Sequence, residues 1–306
     1  MHWTTDLLSL RPSPVQNVGG NFIGHTMNCI FCKEISDNSK SVEHIIPESL
    51  GNKSHTLDKG IVCDKCNNYF ALKIEKEVLE LPYFKSLRHR NYILSKKNKL
   101  PTENGFILHP NGGQVDIIQK VGNIIEVNVN NKDVFNLIKA GKVDKLIIPI
   151  LPSPPNDNLL ISRLLGKIAL EALAQRVGQV ENWNQDFIEH KDLDDLRNYV
   201  RYGQGEFWVY NVRTVYEEID TFKGTDDDPD EQKFQILHEY DFLYIDNKYL
   251  YFICIIMGVE YVINMGQRIL DQYIDWLKMN NGESPLSDKM QSRKTATNIG
   301  IANRGA

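Results

Sequence analysis

Four of the five cysteines in this 306-residue chain stand in two pairs, Cys29/Cys32 and Cys63/Cys66. Two Cys-x-x-Cys turns bring four thiolates together, and four thiolates close a tetrahedral zinc site. Such a site has no open coordination position, so its zinc is structural. Residues 33–62 separate the pairs, a longer interval than a simple zinc ribbon uses, so something is inserted between the two turns. The insertion contains Val42-Glu43-His44-Ile45-Ile46-Pro47-Glu48-Ser49-Leu50-Gly51-Asn52. An imidazole with an ordinary pKa of roughly 6.5 can accept a proton from water near neutral pH. Asn67 follows Cys66 directly, so whatever fixes the sulfur also fixes the amide. Each residue taken alone has a plainer reading, His44 as a core or turn histidine and Asn67 as a helix cap.

The elements around these residues follow from local pattern. His44, between a carboxylate and two β-branched residues, suits the end of a strand, and Pro47 and Gly51-Asn52 then turn the chain. A helix is expected from Cys66 to Glu80, stopped by Leu81-Pro82. His55 reads as a solvated loop residue. Further on, Val115, Ile117 and Ile118, a turn at Gly122-Asn123, and Ile124 to Val129 read as a hairpin. The clearest helix runs from Asn158 to Val177, with Ile161, Leu164, Leu165, Ile168 and Ala172 on one face. A second helix is expected from Asp192 to about Gly203. Phe234 to Met265 reads as two or three antiparallel strands divided at Asp246-Asn247 and near Gly258. Cys254, inside that apolar run, reads as a small core residue.

Taken together, CIFC … EHIIPESLGN … VCDKCNNYF resembles the HNH endonucleases, the ββα-metal nucleases, over about residues 25–80. It is most similar to the subgroup with four structural cysteines and an EHIIPxSLG signature. The resemblance implies His44 as general base. It also implies a divalent ion, Mg²⁺ or Mn²⁺, held by Glu43 and Asn67. Asp58 falls where the family often has Asn, and two roles stay open for it, supporting the loop or orienting His44. The chemistry is consistent, because a hard cation offsets charge building on the phosphate and keeps most of its waters, so few protein oxygens suffice. The implied function is metal-dependent phosphodiester cleavage, of DNA and in restriction or phage defence. Two alternatives stay open: a non-catalytic zinc module that binds nucleic acid or protein, and a nuclease effector activated by a ligand or partner protein of its C-terminal domain.

The implied fold class is α+β, a zinc-stapled ββα-metal (HNH) module followed by a mixed α/β C-terminal domain with antiparallel strands. The expected boundaries are an irregular lead-in at 1–20, the HNH module at 21–82 and a basic linker at 83–100. An α+β specificity or sensor domain at 101–283 and a disordered tail at 284–306 complete the chain. Net charge is −5, so contact with double-stranded DNA needs a local basic patch. Lys85, Arg88, Arg90, Lys96 and Lys97 are the candidates, although a merely solvated face would look the same. Arg201, between aromatic residues in NYVRYG, reads as core-edge packing rather than a recognition surface. No apolar run is long enough to span a bilayer, and Met1 to Leu10 lacks the features of a signal peptide, which makes the cytoplasm the expected location.

Overall fold

The computed structural model describes residues 26–95, 97–120, 124–143, 145–151, 153–220 and 235–286, with the backbone of 300–302. The expected lead-in at 1–20 lies outside the described residues. The fold is α+β, and the three sheets among the described residues are antiparallel. The chain divides into two compact units, one of residues 1–47, 52–78 and 155–306, the other of residues 48–51 and 79–154. The N-terminal cysteine region and the chain beyond residue 155 therefore form one body.

In that first unit, β1 (Glu43–His44) and β2 (Thr56–Leu57) form a two-stranded ribbon with Glu43 opposite Leu57 and His44 opposite Thr56. Helix α1 (Asp64–Phe70) follows and continues through a π turn, Ala71–Glu75, to Lys76–Leu79. The ribbon and helix make up a ββα unit.

The helices that pack on it come from far along the sequence, beyond the intervening elements of the second unit. There, α2 (Pro82–Arg90) precedes β3 (Glu103–Ile107), β4 (Gln114–Lys120), β5 (Ile124–Asn128), α3 (Lys132–Lys139) and β6 (Leu146–Ile147). The sheet order is β5-β4-β3-β6, and β4 and β5 are the expected hairpin, with Ile117 opposite Val127. Ile107, Val115 and Val134 form a small core. Proline in the first turn starts α2 at low cost, since its missing N–H would have no helical partner. Residues 83–100, expected as a basic linker, thus begin as a helix that buries Tyr83, Phe84 and Leu87.

Back in the first unit, α4 (Leu159–Val177) starts where Asn158 accepts hydrogen bonds from the Leu160 and Ile161 N–H groups. Then come α5 (Trp183–Glu189) and α6 (Asp194–Tyr202), which ends at Gly203 in the left-handed region, φ 69°. Gly166 lets α4 and α6 approach closely, because a Cβ there would meet Val200 at 2.5 Å. Strands β7 (Tyr210–Thr214), β8 (Gln235–Ile245), β9 (Tyr249–Ile256) and β10 (Val259–Asn264) precede α7 (Asp271–Met279) and β11 (Gly300–Ala302). Their sheet order is β11-β8-β9-β10-β7. The expected divisions hold: Asp246 and Asn247 both take positive φ between β8 and β9, as do Met257 and Gly258 between β9 and β10. Cys254 is fully buried in β9, and burial pushes its thiol pKa up.

The C-terminal segment begins differently from the expected disordered tail. Leu286 packs in a core with Tyr251 and Tyr273, Ser284 donates to the buried Glu260, and the backbone of β11 pairs with β8. No helix among the described residues is long and apolar enough to cross a membrane.

One consequence concerns truncation. A fragment ending at residue 100 lacks α4, α5 and α6, which complete the first unit. Without them the Ile30 carbonyl loses Arg197 and the Cys66 sulfur loses Arg201. The fragment is expected to unfold without a cooperative transition and to hold less than one zinc per chain. Circular dichroism melting and metal analysis check this, and a sharp transition with full zinc would refute it.

Candidate functional site

The site is built outward from the sulfurs. Cys29, Cys32, Cys63 and Cys66 place their Sγ atoms within 4.8 Å of one another, and the Cys32 and Cys63 sulfurs are 3.6 Å apart. Tetrahedral Zn–S bonds of about 2.3 Å put sulfurs about 3.8 Å apart, so the spacing fits. No disulfide joins them. Four packed sulfurs without a cation must share protons: the Cys29–Cys32 hydrogen bond pushes the Cys29 thiol up to about 12 and holds Cys32 down to about 2. Hydrogen bonding to Cys29 and Cys32, with burial, drives Cys66 upward as well. An ion that takes four thiolates relieves this conflict. Among the described residues, these cysteines are the one group of three or more His, Cys, Asp or Glu side chains placed to hold an ion together.

The first knuckle turns at Lys33, φ 62°, whose N–H donates to the Cys29 carbonyl at 2.9 Å. Helices α5 and α6 hold it from outside. Arg197, 1% exposed, donates to the Ile30 carbonyl at 2.7 Å and to the Phe187 carbonyl at 2.9 Å. Asn28 and Asn184 exchange two amide–backbone hydrogen bonds of 2.9 Å, and Lys33 pairs with Asp194 at 2.5 Å.

Arg201 does more than pack at a core edge. Its Nε donates to Cys66 Sγ at 3.1 Å, and its guanidinium lies 4.1 Å from the Tyr69 ring centroid. Burial disfavours its charge, but the Cys66 sulfur holds its pKa above the ordinary arginine value. An arginine at a thiolate offsets part of the double negative charge that a zinc tetrathiolate carries. Arg201→Ala is therefore expected to weaken zinc binding about 10–100-fold. Competition with a chromogenic chelator measures this, and unchanged retention would show the contact to be packing only.

The second knuckle positions the helix. Cys63 caps α1, its sulfur accepting from the Cys66 N–H at 3.4 Å. Asp64, in the first turn, accepts from the backbone N–H groups of Lys40 and Ser41 at 3.0 and 2.9 Å, which ties the approach to β1 against the helix start. Hydrogen bonds from Ser41, first the hydroxyl and then the backbone N–H, hold the Asp64 carboxyl below its usual range. Asn67 is half-buried, and its Nδ2 lies 3.5 Å from the Val42 carbonyl. The structure thus brings Asn67 to the strand that carries His44.

His44 is half-buried in β1, while the adjacent Glu43 is 5% exposed, as expected of neighbours on opposite faces of a strand. Glu43 pairs with the Nζ of Lys167, from α4, at 2.6 Å. The same ammonium meets Glu75 at 2.9 Å and Glu171 at 3.0 Å, and donates to the His44 carbonyl at 3.2 Å. Burial opposes the lysine's charge, yet Glu171, Glu43 and Glu75 hold its pKa well above the ordinary value. Burial pushes the Glu171 carboxyl well above its usual range, against the pull of Lys167. One carboxylate oxygen of Glu43, Oε1, thus faces an ammonium.

Asp58 is exposed just after β2. The loop is clasped instead by the fully buried Asn52, which donates to the Ile46 and His55 carbonyls at 2.7 and 2.8 Å and accepts from the Ser54 and His55 N–H groups. His55 is buried rather than solvated, with its ring centroid 5.5 Å from that of His238 and 5.6 Å from that of Tyr240. Of the basic candidates, Arg88 is buried in α2 and is not accessible to a phosphate. Lys85 and Arg90 are half-buried, and Lys97 is exposed. Lys96 lies outside the described residues. The ββα unit has its own exposed lysines at Lys53, Lys59, Lys65 and Lys73.

With this geometry in place, comparison with known proteins is informative. Residues 29–80 match the family model described as HNH endonuclease. The match spans both cysteine pairs, β1, β2 and α1 through its π turn, and it implies a nuclease-type module that engages nucleic acid. No curated protein and no solved structure matches the chain.

Proposed function

We propose that the protein is an HNH endonuclease that hydrolyses phosphodiester bonds, with His44 as general base and zinc held by Cys29, Cys32, Cys63 and Cys66 as a structural ion. The observation that carries this reading is the approach of Asn67 to the Val42 carbonyl, two residues before His44, on a ββα frame that gathers the four cysteines, within the segment that matches the family. Attack on phosphorus needs a water relieved of its proton, and an imidazole at the edge of a strand is suited to take it. Exposed Lys53, Lys59, Lys65 and Lys73 supply positive charge for the sugar–phosphate backbone. The family association extends the reading to double-stranded DNA and to restriction or phage defence. Substrate choice or activation by a ligand is assigned to the chain beyond the HNH segment.

A divalent ion, Mg²⁺ or Mn²⁺, would offset charge on the phosphate when bound. Because Lys167 already engages Glu43, the metal requirement is a question for experiment. That engagement also favours a second reading, a zinc module that binds nucleic acid without cutting it. Incubation with supercoiled DNA, linear duplex, single-stranded DNA and RNA, each in Mg²⁺, Mn²⁺ or EDTA, separates the two. Cleavage of any substrate supports the nuclease. Retention in a mobility-shift gel with no cleavage of any substrate supports the binding module.

A further inference from the structure

Strand β1 contributes only two residue pairs to its ribbon, too few to fix the direction of its side chains. Part of the missing restraint comes from α4. Lys167 is fully buried, and its Nζ lies within 3.2 Å of four oxygens from three parts of the chain. Two belong to β1, the Glu43 carboxylate and the His44 carbonyl. One is Glu75, in the π turn that continues the helix bearing Asn67. The last is Glu171, one turn along α4. A single ammonium thus joins the strand of His44 to the helix of Asn67, and both to α4. Single-turn π segments cluster at functional sites. Here the π turn carries Glu75, the carboxylate that meets Lys167. Replacing a buried ion pair with apolar residues often costs little stability, so stability alone is a weak reason for such a cluster.

We infer that Lys167 is a positioning residue of the nuclease site, setting the angle at which the His44 imidazole leaves β1 relative to Asn67. It acts through Glu43 and the His44 carbonyl without touching substrate. This rests on the nuclease reading. It also gives Glu43 a role that requires no ion, as the handle by which Lys167 holds the strand.

The test uses the full chain with Lys167→Met and with the double variant Lys167→Met/Glu171→Met. The single change strands the carboxylates of Glu43, Glu75 and Glu171 and so puts folding at risk, whereas the double change also removes the fully buried one, Glu171, leaving Glu43 and Glu75 without the ammonium. Four quantities are measured: zinc per chain, kcat and KM on plasmid, and the imidazole ¹³Cε1–¹H signal of His44, assigned by its loss in His44→Ala. The expected result is full zinc, kcat lower by about 100-fold, KM within about twofold and a displaced His44 signal. A double variant with full zinc, wild-type kcat and an unmoved signal overturns the inference. If the wild type cleaves nothing, the nuclease reading fails by itself. The imidazole signal then decides whether Lys167 orients His44, a displaced signal supporting it and an unmoved one refuting it.

Discussion

His44→Ala is expected to lower kcat by about 10²–10⁴-fold, the usual contribution of a positioned general base, with little change in KM, zinc content or melting temperature. The contrast between activity and stability is what makes the prediction specific. The backbone of β1 is held by pairing with Thr56, by the Lys167 bond to the His44 carbonyl and by the Ile45 N–H bond to the His55 carbonyl, and all three survive truncation of the imidazole. A structural histidine would behave in the opposite way, losing stability along with activity. Parallel measurement of steady-state cleavage, metal content and thermal unfolding checks the prediction, and loss of zinc in His44→Ala would contradict it.

Removal of the structural ion should have the other large effect. Cys63→Ser removes a zinc ligand while leaving a hydroxyl that can still cap α1. Structural zinc contributes about 10–16 kcal/mol in small zinc-dependent folds, where binding and folding are one process. Here the knuckles also rest on α5 and α6 through Arg197, Asn184 and Arg201, so part of that support remains without the ion. A loss of about 5 kcal/mol is expected, at the upper end for a single substitution, which lowers Tm by roughly 10–20 °C in a unit of this size. Prolonged dialysis against a strong chelator should reproduce the change in the wild type, and zinc should reverse it. A Cys63→Ser variant that keeps one zinc per chain and melts like the wild type would refute a four-cysteine site.

How much of this was legible in the sequence depended on the range of the interaction. The cysteine pairs, the cap at Asn158 and the turns at Asp246-Asn247 and Gly258 are encoded by neighbours, and pattern reading located them. Helix α5 is seven residues long, too short for a periodic signal, and it was missed. Arg88 stood among basic neighbours and read as part of a charged stripe. Yet Tyr83, Phe84 and Leu87 recur at helical spacing, and that spacing turns Arg88 inward. Lys167 and Glu171 lie outside the apolar face that the periodicity marks, yet α4 is buried nearly all round. Nothing local marks their partners, because Glu43 is more than a hundred residues upstream. Asn52 fell within the motif but carried no sign that its amide clasps the loop at both ends. Spacing marked the cysteine site and the family resemblance supplied the candidate chemistry, while the residues packed around them emerged only from the fold.

The most direct test of the central claim is supercoiled plasmid incubated with wild type and with His44→Ala, at matched zinc content, in Mg²⁺, Mn²⁺ and EDTA. The account predicts nicked or linear product from the wild type and little or none from His44→Ala. Equal cleavage by both proteins would remove His44 as the base, and intact plasmid from the wild type in every metal would contradict nuclease activity on this DNA.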